Sequence, residues 1–151
     1  MSHKKLPETK DEFLFFHDIT TRWMDNDAYG HVNNVIYYSW FDTAIGVFLM
    51  ERAGLSIESS DVVGLVVETQ CRYARSVAFP DRITVGVRVT KIGRSSVRYE
   101  LGIFRNDEIE ASAEGHFVHV YVDRASNRPV AQLPDNYLRA VEGIHRPSQV
   151  G

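Results

Sequence analysis

The stretch V-I-Y-Y-S-W-F-D-T-A-I-G-V-F-L-M-E-R-A, Val35 to Ala53, decides the fold. It reads as a helix of about five turns at 3.6 residues per turn. Asn33 and Asn34 stand at its start as capping residues, and Gly54 stands at its end, able to take the left-handed position. Ile36, Trp40, Phe41, Ala44, Ile45, Phe48 and Leu49 spread around most of its circumference, leaving a narrow stripe of Ser39, Asp42, Thr43 and Gly46. A helix so apolar must be surrounded by other structure.

What surrounds it is strand. Upstream, the aromatic run Phe13 to Thr20 has no helical period and reads as one strand. Downstream, apolar and polar residues alternate with period two in Val63 to Tyr73, Ile83 to Val89, Val97 to Ile103 and Ala111 to Val122. In the first of these, Val63, Leu65, Val67, Thr69, Cys71 and Tyr73 share one face, and Glu68, Gln70 and Arg72 the other. In the last, Val118, Val120 and Val122 oppose Phe117, His119 and Tyr121. Such alternation belongs to antiparallel strands with one face in the core. Phe79-Pro80-Asp81, Ile92-Gly93-Arg94 and Arg105-Asn106-Asp107 supply turns between runs, and a short helix is expected at about 134–143. The expectation is a single α+β domain over 1–151, an antiparallel sheet curled around one long helix, preceded by a short flexible N-terminus, 1–12.

Composition narrows the function. Hydrophobic residues make up 44% and charged residues 25% of the 151, an ordinary globular balance. A net charge of −3, with seventeen scattered Lys and Arg, offers no footprint for nucleic acid. One cysteine, Cys71, excludes an internal disulfide and a thiolate metal cage, and its apolar setting reads as core. The charged N-terminus lacks a signal-type apolar region, and polar residues interrupt the longest apolar run, so the expected setting is cytoplasmic, with no membrane span.

Chemistry concentrates just before the helix, in R-W-M-D-N-D-A-Y-G-H-V-N-N-V-I-Y-Y, Arg22 to Tyr38. With Asn33 or Asn34 as cap, the N–H groups of Asn34, Val35 and Ile36 lack intrahelical partners and lie at the positive end of the helix dipole. They suit a polarised carbonyl oxygen or an oxyanion. Asp27 lies upstream across Gly30, and a carboxylate beside an electrophilic carbon acts as nucleophile or general base. The same residue types would also build a plain turn and cap, so both readings stand on residue types alone. No Ser-His-Asp set, G-x-S-x-G elbow or zinc-type His/Glu spacing accompanies them.

The pattern D-x-D-x-x-G-H-V-N-N-x-x-Y, Asp25 to Tyr37, resembles the signature of hotdog-fold acyl-CoA thioesterases of the 4-hydroxybenzoyl-CoA thioesterase type. The resemblance extends through the strand order and the turn Ile92-Gly93-Arg94-Ser95-Ser96, covering about Phe13 to Val122. It implies a hotdog fold and hydrolysis of an acyl-CoA thioester to free acid and coenzyme A, which is part of the substrate, so no separate cofactor is expected. Asp27 matches the family's catalytic carboxylate, as nucleophile or general base. Gly30 matches the turn residue, and the Asn34 amide falls where the family polarises the thioester carbonyl. His31 matches a position that binds the carbonyl or the water, with turn packing as the alternative.

Asp25 is expected to be structural, Asp42 partly solvated, and Tyr37 and Trp40 to be core or the wall of the acyl pocket. Arg94, Ser95 and Ser96, with Arg75 as a second candidate, match the border of the pantetheine arm, or else form an ordinary hairpin turn. The resemblance also implies a homodimer or homotetramer with sites at subunit junctions. An acyl-carrier-protein substrate and a non-catalytic acyl-CoA-binding module remain the alternatives. The chain departs from the family at Asp42-Thr43-Ala44-Ile45, where Glu-x-Ala-Arg is frequent, and at Ser76 and Pro80-Asp81, which bears on acyl specificity.

Overall fold

The computed structural model describes residues 7–147. Strand β1 (Phe15–Thr20) leads into helix α1 (Asn34–Ala53). Strands β2 (Val62–Tyr73), β3 (Arg82–Ile92), β4 (Ser96–Arg105) and β5 (Ala113–Asp123) follow, and helix α2 (Asp135–Gly143) closes the chain. The five strands form one antiparallel sheet in the order β1-β3-β4-β5-β2, curled along α1: a hotdog fold. Both expected caps of α1 are present. Asn33 Oδ1 accepts from the Val35 N–H, and Gly54 takes φ +70°.

The core lies between α1 and the concave face of the sheet. Phe41, Ala44, Ile45 and Phe48 meet Val85, Val87, Tyr99, Leu101 and Ile103, all almost fully buried. Each large apolar side chain so buried contributes roughly 1.5–3 kcal/mol. The alternation read in β3 and β4 places those residues inward as expected. The other side of α1 is open: Val35, Ser39, Asp42, Thr43 and Met50 are exposed, so one chain covers the helix on one side only.

Strand β2 corrects the sequence reading. It is a sheet edge, and its pairing with β5 slips between Val66 and Glu68, leaving Val67 as an extra residue. A bulge breaks the period of two, so Val67 and Thr69 do not continue one face. Leu65, Val66 and Val67 are exposed rather than core. Residues 7–12, expected as a flexible lead, are tied down, while residues 1–6 lie outside the described residues. Lys10 donates to the Ile109 carbonyl, and Ala111 donates to that of Glu8. Buried Arg88 bonds Glu8 and Glu100 at 2.9 and 2.8 Å and stacks over the Phe13 ring. Burial alone would raise the Glu100 carboxyl, but Arg88 and Arg98 outweigh it and hold it below its ordinary value.

Strand β5 turns Phe117, His119 and Tyr121 inward. His119 packs against the Tyr99 ring, and the Tyr99 and Tyr121 hydroxyls share a 2.6 Å bond. The His119 Nε2 is buried without a partner among the described residues, and burial lowers the ring's pKa from 6.5 to about 4. The unfolded chain therefore takes up a proton near pH 6.5 that the folded chain refuses until about pH 4, so this group's effect on stability worsens as pH falls through that window. Between pH 7 and 5 the loss is about 2 kcal/mol. His119→Phe, which keeps an apolar ring, is expected to hold or raise stability at pH 7 and to flatten that acid dependence, as measured by urea unfolding at both pH values. An unchanged pH dependence would exclude His119 as its source.

Candidate active site

The motif loop is a braced turn. After Trp23–Asp25, a single 3-10 turn, Asn26 pairs with Val32 across a tight reversal. The Asp27 N–H donates to the His31 carbonyl at 2.8 Å, and the Gly30 N–H to the Asp27 carbonyl at 3.0 Å. Gly30 adopts φ +79°, a conformation that glycine accepts without strain. Two bonds fasten the turn to the segment before β3: Val32 N–H to the Val77 carbonyl, and Phe79 N–H to Asn26 Oδ1.

The two aspartates of the motif have opposite fates. Asp25 is 1% exposed, and its carboxylate accepts from the Arg22 backbone and guanidinium at 2.8–3.0 Å. Its carbonyl accepts the Asn33 N–H, so it anchors the entry to α1. Asp27 is exposed at the turn's tip. Its Oδ1 accepts from the Tyr29 N–H at 2.9 Å, while Oδ2 has no partner among the described residues. The carboxylate is thus oriented without being neutralised by an ion pair.

At the helix end, two of the three amides expected to be free are engaged. Val35 N–H goes to the Asn33 side chain, and Ile36 N–H to the Asn33 carbonyl. Asn34 N–H alone has no partner among the described residues. Asn34 borders a pocket of about 240 Å³ shared with Val32, Tyr37, Tyr73, Ala74, Arg75 and Ser76. The Tyr73 hydroxyl donates to the Asn34 carbonyl at 3.0 Å, and its ring stands perpendicular to that of Tyr37. Burial, with Cys71 and Tyr38 close by, raises the Tyr73 pKa, so its phenol donates and does not act as a base near neutral pH. Arg75 donates to the Glu110 carbonyl and lies near Glu108 and Glu110 at 3.7 and 3.8 Å.

The remaining sequence candidates divide. Tyr37 and Trp40 are core residues, 2% and 5% exposed, each with an edge on a cavity. The His31 side chain is exposed, Asp42 is exposed on α1, and neither lines the Asn34 pocket. The Cys71 thiol, partly buried, is pushed up to about 11 by burial and is no thiolate nucleophile. Arg94 and Ser95 lie in the β3–β4 turn and Ser96 opens β4, at the end of β3 opposite the segment that holds the motif loop. Eleven residues of β3 put them about 35 Å from that end, so one chain does not bring this turn to Asp27. Tyr73 was not among the residues assigned to the site: nothing in an alternating strand marks the residue whose end folds onto a helix terminus.

Among the described residues no cluster of His, Cys, Asp or Glu suits a metal ion, and no helix is long and apolar enough to cross a membrane. A further cleft on the convex face of the sheet has its cations occupied, Arg72 by Glu114 and Arg98 by Glu100 and Glu68.

The fold is that of a hotdog protein whose long helix begins just after a carboxylate-bearing turn. The chain belongs to the thioesterase-like superfamily, whose family description matches residues 21–141. It is similar to the PA5185 protein of Pseudomonas aeruginosa, with 49% identity, a TM-score of 0.91 and coverage of 95% of this chain and 99% of that one. The YsmA protein of Bacillus subtilis is 28% identical over 125 residues, 82% of this chain and 83% of that protein. A 1,4-dihydroxy-2-naphthoyl-CoA thioesterase from Synechocystis shares the fold, with 18% identity, a TM-score of 0.76 and coverage of 88% of this chain and 98% of that one.

Proposed function

We propose that this protein is an acyl-CoA thioesterase, hydrolysing the thioester to a carboxylic acid and the free thiol of coenzyme A. The observation that carries the reading is the Asn34 N–H, without a partner among the described residues, at the positive end of α1 in a residue that borders a pocket walled by Tyr37 and Tyr73. A thioester oxygen that accepts this bond is polarised, and the charge it gains on attack is met by the dipole. The turn ending at the helix cap carries Asp27, which attacks the carbonyl carbon directly or takes a proton from the attacking water. Water supplies the hydroxyl of the acid and the proton of the thiol on either route. Thiol release from a panel of short, long and aromatic acyl-CoAs tests the reading, with the same acyl groups on acyl-carrier protein as the competing substrates. Absence of release from every member refutes it.

One observation favours binding without hydrolysis as the second reading: Asp27 does not border the Asn34 pocket, and one of its oxygens is held in the turn. Acyl-CoA binding without thiol release would select that reading.

The protein acts, on this proposal, as a pair of chains joined through β2. Val66 and Val67 lie on an unpaired sheet edge, a ready template for another strand. The Tyr121 N–H bonds the Ser95 carbonyl, so the Arg94 turn sits near the Val62 end of β2, whereas Tyr73 at the other end meets Asn34. Antiparallel pairing of two β2 edges brings the Arg94-Ser95-Ser96 turn of one copy to the Asn34 pocket of the other, where a guanidinium suits the phosphates of coenzyme A. Val66→Lys is expected to halve the mass seen by light scattering and to lower hydrolysis with Asp27 intact. A variant of unchanged mass and activity would refute pairing through this edge.

A further inference from the structure

Two cavities flank the first turns of α1, and one aromatic pair stands between them. The Asn34 pocket lies on one side, bordered by Tyr37. On the other side, between β1 and α1, lies a solvent-open cleft of about 360 Å³ bordered by Asp18, Ile19, Ile36, Ser39, Trp40 and Thr43, with the Asp25–Arg22 ion pair at its rim. Tyr37 borders only the first and Trp40 only the second. Their ring centroids are 5.2 Å apart at an interplanar angle of 52°. Tyr73 braces Tyr37 from the first pocket, 4.9 Å away and perpendicular.

We infer that the Tyr37–Trp40 pair is a partition that confines the acyl group to the Asn34 pocket, with Trp40 as the residue that sets acyl length. The inference rests on the thioesterase reading, since it takes the thioester carbonyl to lie at the Asn34 amide. From Asn34 to Trp40 the helix rises about 9 Å, so an acyl chain running along α1 meets the pair within that length. Short alkyl chains and single rings fit in front of it. A long chain does not, although a second, solvent-open cleft lies on the Trp40 side of the pair. That chamber is already open space, so removing the Trp40 ring joins two existing cavities rather than requiring a new one.

The second chamber also has a physical plug. Thr43 is exposed, one turn beyond Ser39, and borders only that chamber. A large side chain at Thr43 therefore fills the space behind the partition without entering the Asn34 pocket.

The test compares kcat/KM for butanoyl-, benzoyl- and hexadecanoyl-CoA in the intact protein, Trp40→Ala and Trp40→Ala/Thr43→Trp. Trp40→Leu serves in the same comparison should the alanine variant not fold. The intact protein is expected to prefer the two compact substrates. Trp40→Ala is expected to raise the hexadecanoyl-to-benzoyl ratio at least about tenfold, and the added Thr43→Trp to cancel that gain. A preference for hexadecanoyl-CoA in the intact protein, an unmoved ratio in Trp40→Ala, or a gain that survives Thr43→Trp each overturns the partition. Calorimetric binding of the matching S-(2-oxoalkyl)- and S-phenacyl-CoA, which keep a carbonyl but cannot be hydrolysed, gives the same ratios. If thiol release is absent throughout, the hydrolase reading has failed, and these binding ratios alone decide for or against the partition.

Discussion

Asp27→Asn is expected to lower thiol release about 10²–10⁴-fold while leaving the thermal midpoint near that of the parent protein. The amide oxygen of asparagine still accepts the Tyr29 N–H bond that Asp27 Oδ1 makes, so the turn is preserved. What disappears is the negative charge, and with it the proposed nucleophile or general base. Asp27→Ala loses the turn bond as well and should combine the same kinetic loss with a small drop in stability. Asp25→Asn offers the contrast: that carboxylate is buried on Arg22, so its loss should register first as lowered stability. Thiol-release kinetics beside thermal unfolding separate the two patterns. Full hydrolysis in purified Asp27→Asn would remove Asp27 from the chemistry.

The second large effect is expected from deleting one backbone hydrogen. Asn34 is the first residue of α1, where proline is well tolerated because its missing N–H has no intrahelical partner. The preceding Asn33 has φ −59° and ψ 135°, the extended conformation that a following proline demands. Asn34→Pro therefore removes the donor while keeping the helix and its Asn33 cap. Loss of a comparable oxyanion donor costs about 10²–10³ in kcat, and that is the drop expected here. Asn34→Ala shortens the side chain but retains the N–H, and should keep most of the activity. Equal activity in the proline and alanine variants would mean that the thioester oxygen is held elsewhere.

Much of the candidate site's local structure was legible because it is local in the chain. The Asp27 turn, the positive φ of Gly30, the Asn33 cap and the helix terminus fall within about ten consecutive residues, where short-range rules apply. The number of free amides was not legible. The Asn33 side chain and carbonyl each take one, and that depends on the cap's rotamer and backbone angle. The place of Tyr73 was also hidden, because the end of β2 that reaches Asn34 lies thirty-nine positions further along the chain.

By itself the sequence determined the long capped helix, the strands and their turns, the inward faces of β3 and β4, and the position of the Asp27 turn. Each of these follows from hydrophobic period or from the φ preferences of a few neighbouring residues. Only the tertiary structure decided that β2 is a bulged edge, that β5 turns His119 inward, that the Arg94 turn lies a strand's length from Asp27, and that Tyr37 and Trp40 divide two cavities. Those outcomes depend on which strands pair, in what register, and on which ring packs against which. Such contacts join residues far apart in the chain, and no local pattern encodes them.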